Sequence, residues 1–209
     1  MRRRILLASL IAVGFLSFFA PQGQSRRTSS VEAGTTSQTY LPLIMMPCSS
    51  EVIRDGGFEL GLPNPYWRTQ SNVGSSILDN TPTPPAHSGT WKAWLGGDNL
   101  VNEMLSQTLF IPNGTTNLTL SYWWRVSTLE QTHPFDTLTV VLRDTNGTLL
   151  QVVETLTDGD ASTTWQQSTW TLSNAYAGQT LVLSFETVTD QDDATSFFLD
   201  DVSLSLVCP

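Results

Sequence analysis

Two short stretches hold the residues most able to do chemistry: Asp55-Gly56-Gly57-Phe58-Glu59, and Ser196-Phe197-Phe198-Leu199-Asp200-Asp201-Val202-Ser203-Leu204. Alternation in the second predicts a strand on which Asp200 shares a face with Phe198, Val202 and Leu204. A carboxylate placed among apolar side chains needs a partner. If Cys48 and Cys208 face each other across an antiparallel pair, the same register sets Val52 opposite Leu204, Gly56 opposite Asp200 and Phe58 opposite Phe198. Arg54 would then share the inward face, which predicts a bulge or irregular turn at the Gly-Gly pair. Acidic side chains and freed backbone carbonyls would gather at one spot, and an oxygen-only site of that kind suits calcium. The expected ligands are Glu59, Asp200, Asp201 and the backbone oxygen near Gly56, holding a structural ion that ties the chain ends and does not touch a ligand.

A second set of candidates is aromatic and basic. Alternation puts Leu118, Leu120, Tyr122, Trp124 and Val126 on one side of a strand, with Leu138, Val140, Leu142 and Leu181, Leu183, Phe185 matching them on others. The opposite side carries Thr119, Ser121, Trp123 and Arg125, then Thr139, Val141 and Arg143. A tryptophan among Thr, Ser and Arg suits stacking on a sugar ring, with Arg125 and Arg143 donating hydrogen bonds to hydroxyls. The alternative is a Trp123 covered by a loop or packed on the aliphatic part of Arg125. Trp91 and Trp94 fall on opposite faces of their strand, and Trp94 is assigned outward, beside Trp123 and Arg125.

Catalytic patterns find little support. His87 and His133 lack metal-binding spacing, and the chain contains neither His-Glu-x-x-His nor a Gly-x-Ser-x-Gly elbow. Asp200 and Asp201 are adjacent and would point to opposite faces of a regular strand, so they do not hold two carboxyls across a bond. Asp190, Asp192 and Asp193 lack the glycine and distal glutamate of an EF-hand loop and read as a solvated turn, as does Asp158-Gly159-Asp160. The expectation is a chain that is not an enzyme.

Strands must position these residues. Runs at 91–95, 101–111, 117–126, 136–143, 148–156, 164–172, 180–188 and 196–207 read as strands, and no apolar 3.6-residue pattern is long enough for a substantial helix. Asn146-Gly147 is a hairpin signal between two of them. The proline-rich 81–85 stretch cannot supply ladder donors and must lie at a rim. Many Thr-rich and β-branched strands at regular spacing favour an all-β, two-sheet sandwich.

Arg2-Arg3-Arg4 followed by an apolar run over 5–20 reads as a secretory signal, over residues 1–21, either cleaved or retained as an anchor. Residues 22–40 are poor in large apolar side chains and 41–47 are apolar but broken by Pro42 and Pro47, so that 22–47 reads as a disordered linker. Residues 48–209 make one domain. A net charge of −9 argues against a nucleic-acid partner and against an anionic membrane surface, leaving the N-terminal segment as the one membrane contact. Two cysteines in an exported chain predict a Cys48–Cys208 disulfide, worth about 4–5 kcal/mol in the chain-entropy model.

The order of several motifs carries a resemblance. The Gly56-Gly57-Phe58-Glu59 start, Trp67, His87-Ser88-Gly89-Thr90 leading to Ala93-Trp94-Leu95-Gly96-Gly97, the run from Leu118 to Trp124, and the Leu-Asp-Asp-Val-Ser-Leu finish together resemble jelly-roll β-sandwich modules of bacterial exported proteins. The chain is similar both to MAM-like modules associated with immune inhibitor A and to galactose-binding-like carbohydrate-binding modules. It departs from them in having Asp55 where asparagine is usual. The resemblance implies a secreted or cell-surface, non-catalytic recognition module for carbohydrate. A protein-binding adhesion module, or an accessory domain acting beside an exported peptidase, is the alternative that it also implies.

Overall fold

A computed structural model describes residues 51–208, which belong to one compact unit. The signal segment, the linker and Cys48 lie outside the described residues. The strands are β1 (Arg68–Ser71), β2 (Leu78–Asp79), β3 (Lys92–Gly96), β4 (Asn102–Phe110), β5 (Asn117–Thr128), β6 (Thr137–Asp144), β7 (Leu149–Thr157), β8 (Gln166–Leu172), β9 (Thr180–Val188) and β10 (Thr195–Val207). They form two antiparallel five-stranded sheets, ordered β1-β4-β9-β6-β7 and β2-β3-β10-β5-β8. The chain is all-β, as the alternation required.

The core fills the space between the sheets. Leu118, Leu120, Tyr122 and Val126 of β5 face Leu138, Val140 and Leu142 of β6 and Leu181, Leu183 and Phe185 of β9, all buried. Phe185 is packed edge-on by Tyr122, with ring centroids 5.3 Å apart. Trp67 is buried beside Phe58 at 5.3 Å and closes one end of this core. Although β5 and β6 follow each other in sequence, they lie in different sheets. Their apolar sides therefore meet across the sandwich instead of lying side by side, and their polar sides look outward in opposite directions. Asn146-Gly147 forms the β6–β7 turn, where Gly147 N donates to Asp144 O at 3.0 Å.

The start of the described chain pairs with its finish. Glu51 bridges Ser205 and Val52 N donates to Leu204 O at 3.0 Å, the register expected from the cysteine positions. Further along, Gly56 O accepts from Val202 N at 3.0 Å, so the pairing has slipped before Asp200 is reached. The expected irregular turn is present at the Gly-Gly pair, where Phe58 N donates to Asp55 O at 3.1 Å and Asp55 and Phe58 take φ of +54° and +59°. A second irregularity sits on β10: the register against β5 shifts between Asp200 and Ser203, and Asp201 takes a φ of +46°. Arg54 is exposed and lies over the Tyr66 ring at 5.6 Å, while its backbone is held by the Gln107 side chain.

Candidate functional site

The bulge on β10 decides where the acidic residues go. Asp200 is fully buried on the outer face of its sheet, and its Oδ2 accepts from the backbone N–H of His87 at 2.8 Å and of Ser88 at 3.1 Å. Asp201 reaches the same loop: Oδ2 lies 2.6 Å from His87 Nδ1, and Oδ1 accepts from Ser88 Oγ at 2.7 Å. Two adjacent carboxylates thus serve one loop, which a regular strand would not allow. Glu59 clamps the far end of that loop, its Oε1 accepting from Thr90 N and Trp91 N, both at 2.8 Å.

These four expected calcium ligands do not form one cage in this arrangement. A β-carbon placed on Gly57 would lie 3.4 Å from Asp201 Oδ1 and 3.8 Å from Asp200 Oδ1, so those two carboxylates converge. Glu59 is turned onto Gly89 and the Gly56 carbonyl is engaged by Val202. Among the described residues, the three acidic groups whose ligand atoms lie within 4.8 Å of one another are Glu130, Asp136 and Asp190, which could hold a metal ion.

Burial pushes the Asp200 carboxyl up to about 6; the charge of Asp201 adds to the rise, and the N–H groups of Ser88, Asp201 and His87 oppose it. Because the folded state holds this proton longer than the unfolded chain, the stabilisation it gives is complete below the ordinary value of 3.8 and is lost as pH rises through about 6. With a chelator present, this group is expected to lower the unfolding free energy by about 2 kcal/mol between pH 4 and pH 7. Urea unfolding across that window measures it. An Asp200→Asn variant that declines as steeply as the parent would remove Asp200 as the cause.

The loop held by these carboxylates covers the expected sugar platform. His87 stacks on Trp123 with ring centroids 3.8 Å apart and planes at 15°, and its edge meets Trp165 at 5.9 Å. Trp165 Nε1 donates to Pro85 O at 3.3 Å, tying the neighbouring proline loop to the same face. One residue pair along β5, the face is open. Arg125 and Phe198 are directly paired, as are Phe198 and Trp94, so the three stand in a row across β5, β10 and β3. Trp94 donates from Nε1 to Ser196 Oγ at 3.0 Å and tilts against Phe198 at 5.6 Å. A cavity of about 450 Å³ lies here between Arg125, Ser127 and Phe198 on the sheet and Pro82, Pro84 and Pro85 on the loop. The Arg125 Nε is buried and has no hydrogen-bond partner.

Arg143 is not part of this face. It projects from β6 on the opposite outer surface, where Nε and Nη2 donate to the two carboxylate oxygens of Glu186, each at 2.9 Å. The structure thus brings Trp94, Trp123 and Arg125 to one face and leaves Arg143 on the other. Sequence reasoning did not reach the buried Lys92, whose Nζ donates to Asp79 Oδ2 at 2.5 Å and to Thr81 O at 2.8 Å, anchoring the proline loop that walls the cavity. The signal was the outward position of Lys92, two residues before Trp94.

No protein-family model matches the chain, and no curated protein matches it. Solved structures do. The chain is similar to TmCBM61, solved in complex with beta-1,4-galactotriose, at 18% identity and a TM-score of 0.55, covering 76% of this chain and 100% of that one. It is similar at 14% identity and a TM-score of 0.50 to carbohydrate-binding modules from the β-sandwich superfamily, over 71% of this chain and 60% of that one. The enzymatically active domain of tailspike protein 4 from bacteriophage CBA120 matches at 10% identity and a TM-score of 0.50, over 76% of this chain but 22% of that one. The MAM-like part of the expected resemblance has no counterpart among these three. At such identities the likeness establishes the fold, a jelly-roll β-sandwich of the kind found in carbohydrate-binding modules.

Proposed function

We propose that this chain is a secreted or cell-surface, non-catalytic module that binds carbohydrate at the outer face of the β2-β3-β10-β5-β8 sheet. The observation that carries the reading is the cavity beside Arg125, where a buried, unpartnered guanidinium Nε is set next to Phe198 and Ser127 under a proline wall. A buried donor with no acceptor costs free energy that a ligand hydroxyl relieves, and an apolar wall with a few fixed polar groups suits a sugar ring. A galactotriose complex on the same fold supports the ligand class. Trp94 packs against Phe198, which lines the cavity. Trp123 lies beneath His87 instead of serving as the open platform.

Export supports the clasp as part of this proposal. The Glu51–Ser205 bridge keeps the register that a Cys48–Cys208 disulfide requires, and Cys208 is not a free thiol. Calcium as a structural ion belongs to the same reading.

The test is binding of the full chain, with calcium present, to insoluble polysaccharides and arrayed glycans. Binding to one glycan class is expected, weakened at least about ten-fold by Arg125→Ala with an unchanged melting temperature, the scale of one lost charged hydrogen bond. Failure to bind any glycan, or binding indifferent to Arg125→Ala, would overturn the reading and direct the search to an extracellular protein partner or an exported peptidase.

A further inference from the structure

The end of the sandwich where β5 leaves one sheet for β6 in the other, and where β9 returns to β10, has acidic groups that neither the glycan face nor the chain-end clamp uses. Asp136 stands just before β6 and is fully buried. Its Oδ1 accepts from Asp190 N at 2.7 Å, but its Oδ2 is buried without a hydrogen-bond partner. Glu130, on the β5–β6 connection, likewise has its Oε1 buried and without a partner. Asp190, on the β9–β10 connection, brings a third carboxylate, with ligand atoms of all three lying within 4.8 Å of one another. Beside them a polar cavity of about 510 Å³ opens between Asn99, Glu130, Gln131, Gln191 and Asp193.

Three carboxylates so close together repel one another, and two orphaned buried oxygens add the cost of lost hydration. The neighbouring charges do not relieve this. Among the described residues the nearby ion pair is His133 with Asp158, at 3.0 Å, and neither Lys92 nor Arg143, which pair with Asp79 and Glu186, belongs to this end. Asp192 and Asp193 on the same connection make it more acidic still.

We propose that Glu130, Asp136 and Asp190 bind a calcium ion that staples the β5–β6 connection to the β9–β10 connection. Hard carboxylate oxygens carried on two separate loops, with a polar cavity that admits water, fit the six to eight ligands and tolerant geometry of calcium better than the compact octahedron of magnesium. The site is independent of what the cavity at Arg125 binds. It also lies apart from Glu59, Asp200 and Asp201, whose oxygens serve the backbone and side chains of the 87–91 loop.

The test uses the full chain, stripped with a chelator and titrated with calcium chloride and, separately, magnesium chloride, reading calorimetric stoichiometry and melting temperature. Glu130→Gln and Asp190→Asn change partly exposed loop side chains and keep their shape, so both should fold. Each is expected to lose one equivalent of bound calcium, or to weaken it more than ten-fold, while Asp201→Asn keeps that equivalent; magnesium should raise the melting temperature less than calcium. Calcium stoichiometry and affinity unchanged in both Glu130→Gln and Asp190→Asn would overturn the proposal, as would loss of all bound calcium in Asp201→Asn alone, which would place the ion at the chain ends. No calcium binding by the parent chain would overturn it too. Glycan binding, scored on the same samples, separates failure of this site from failure of the recognition reading.

Discussion

Replacing Lys92 with methionine is expected to cost about 3–5 kcal/mol of stability, the range for removing one partner of a buried ion pair. The ammonium is wholly buried on the outer side of β3, held by Asp79 and the Thr81 carbonyl. Burial by itself would raise the Asp79 carboxyl, but hydrogen bonds from Lys92 and then Thr81 outweigh it and hold Asp79 below its ordinary value. Taking the ammonium away leaves that carboxylate partly buried with no counter-charge, held only by its Thr81 hydrogen bonds. At about 2–4 °C per kcal/mol for a domain of this size, the melting temperature should fall by at least about 6 °C. A double variant, Asp79→Asn with Lys92→Met, should recover part of the loss because the stranded charge is gone. If the single variant melts with the parent, the pair has no structural role. On the proposed carbohydrate-binding reading, the same change should also weaken glycan binding, since Lys92 fastens the loop whose prolines wall the Arg125 cavity.

Gly56→Ala should also be damaging, and Gly57→Ala nearly silent, although the two glycines are neighbours. A β-carbon at Gly56 would lie 1.9 Å from the carbonyl oxygen of Val202, a backbone atom that cannot step aside without breaking the pairing of the chain ends. At Gly57 the nearest atoms are the side chains of Asp201 at 3.4 Å and of Asp200 and Glu59 at 3.8 Å, ordinary contact distances. Overpacking against a fixed neighbour costs about 1–3 kcal/mol and sometimes more, whereas Gly57→Ala should stay within about 0.5 kcal/mol. Urea denaturation of the two variants side by side gives the comparison. Equal losses would mean that β10 yields at its bulge, and that the approach of Gly56 to Val202 is not a constraint.

Much of the fold was legible because alternation is a local property. The inward sets on β5, β6 and β9 follow from every second residue being apolar, and their burial in the structure matches that reading. β1 was not legible: Arg-Thr-Gln-Ser has no apolar face, and this exposed edge strand exists because β4 offers it a ladder. The assignment of strands to sheets was not legible either. Periodicity reports which way a side chain points relative to its own strand, not which sheet the strand joins, so Arg125 and Arg143 could be read as neighbours when the sandwich sets them on opposite outer faces.

The candidate site shows the same division. Residue types and spacing determined an all-β sandwich, a pairing of the chain ends beginning in register at Glu51 and Ser205, and an outer face carrying Trp94, Trp123 and Arg125. Tertiary structure decided which of these is open to a ligand. One bulged residue, Asp201 at positive φ, turns two adjacent carboxylates toward the same loop; that loop lays His87 on Trp123 and leaves the space beside Arg125 free. It also decided where acidic groups converge, because Asp190 lies 54 residues beyond Asp136 and meets it and Glu130 only when both crossings between the sheets close at one end. Alternation is fixed by each residue and its nearest neighbours along the chain, while loop coverage and the meeting of remote carboxylates depend on contacts that exist only once both sheets have packed.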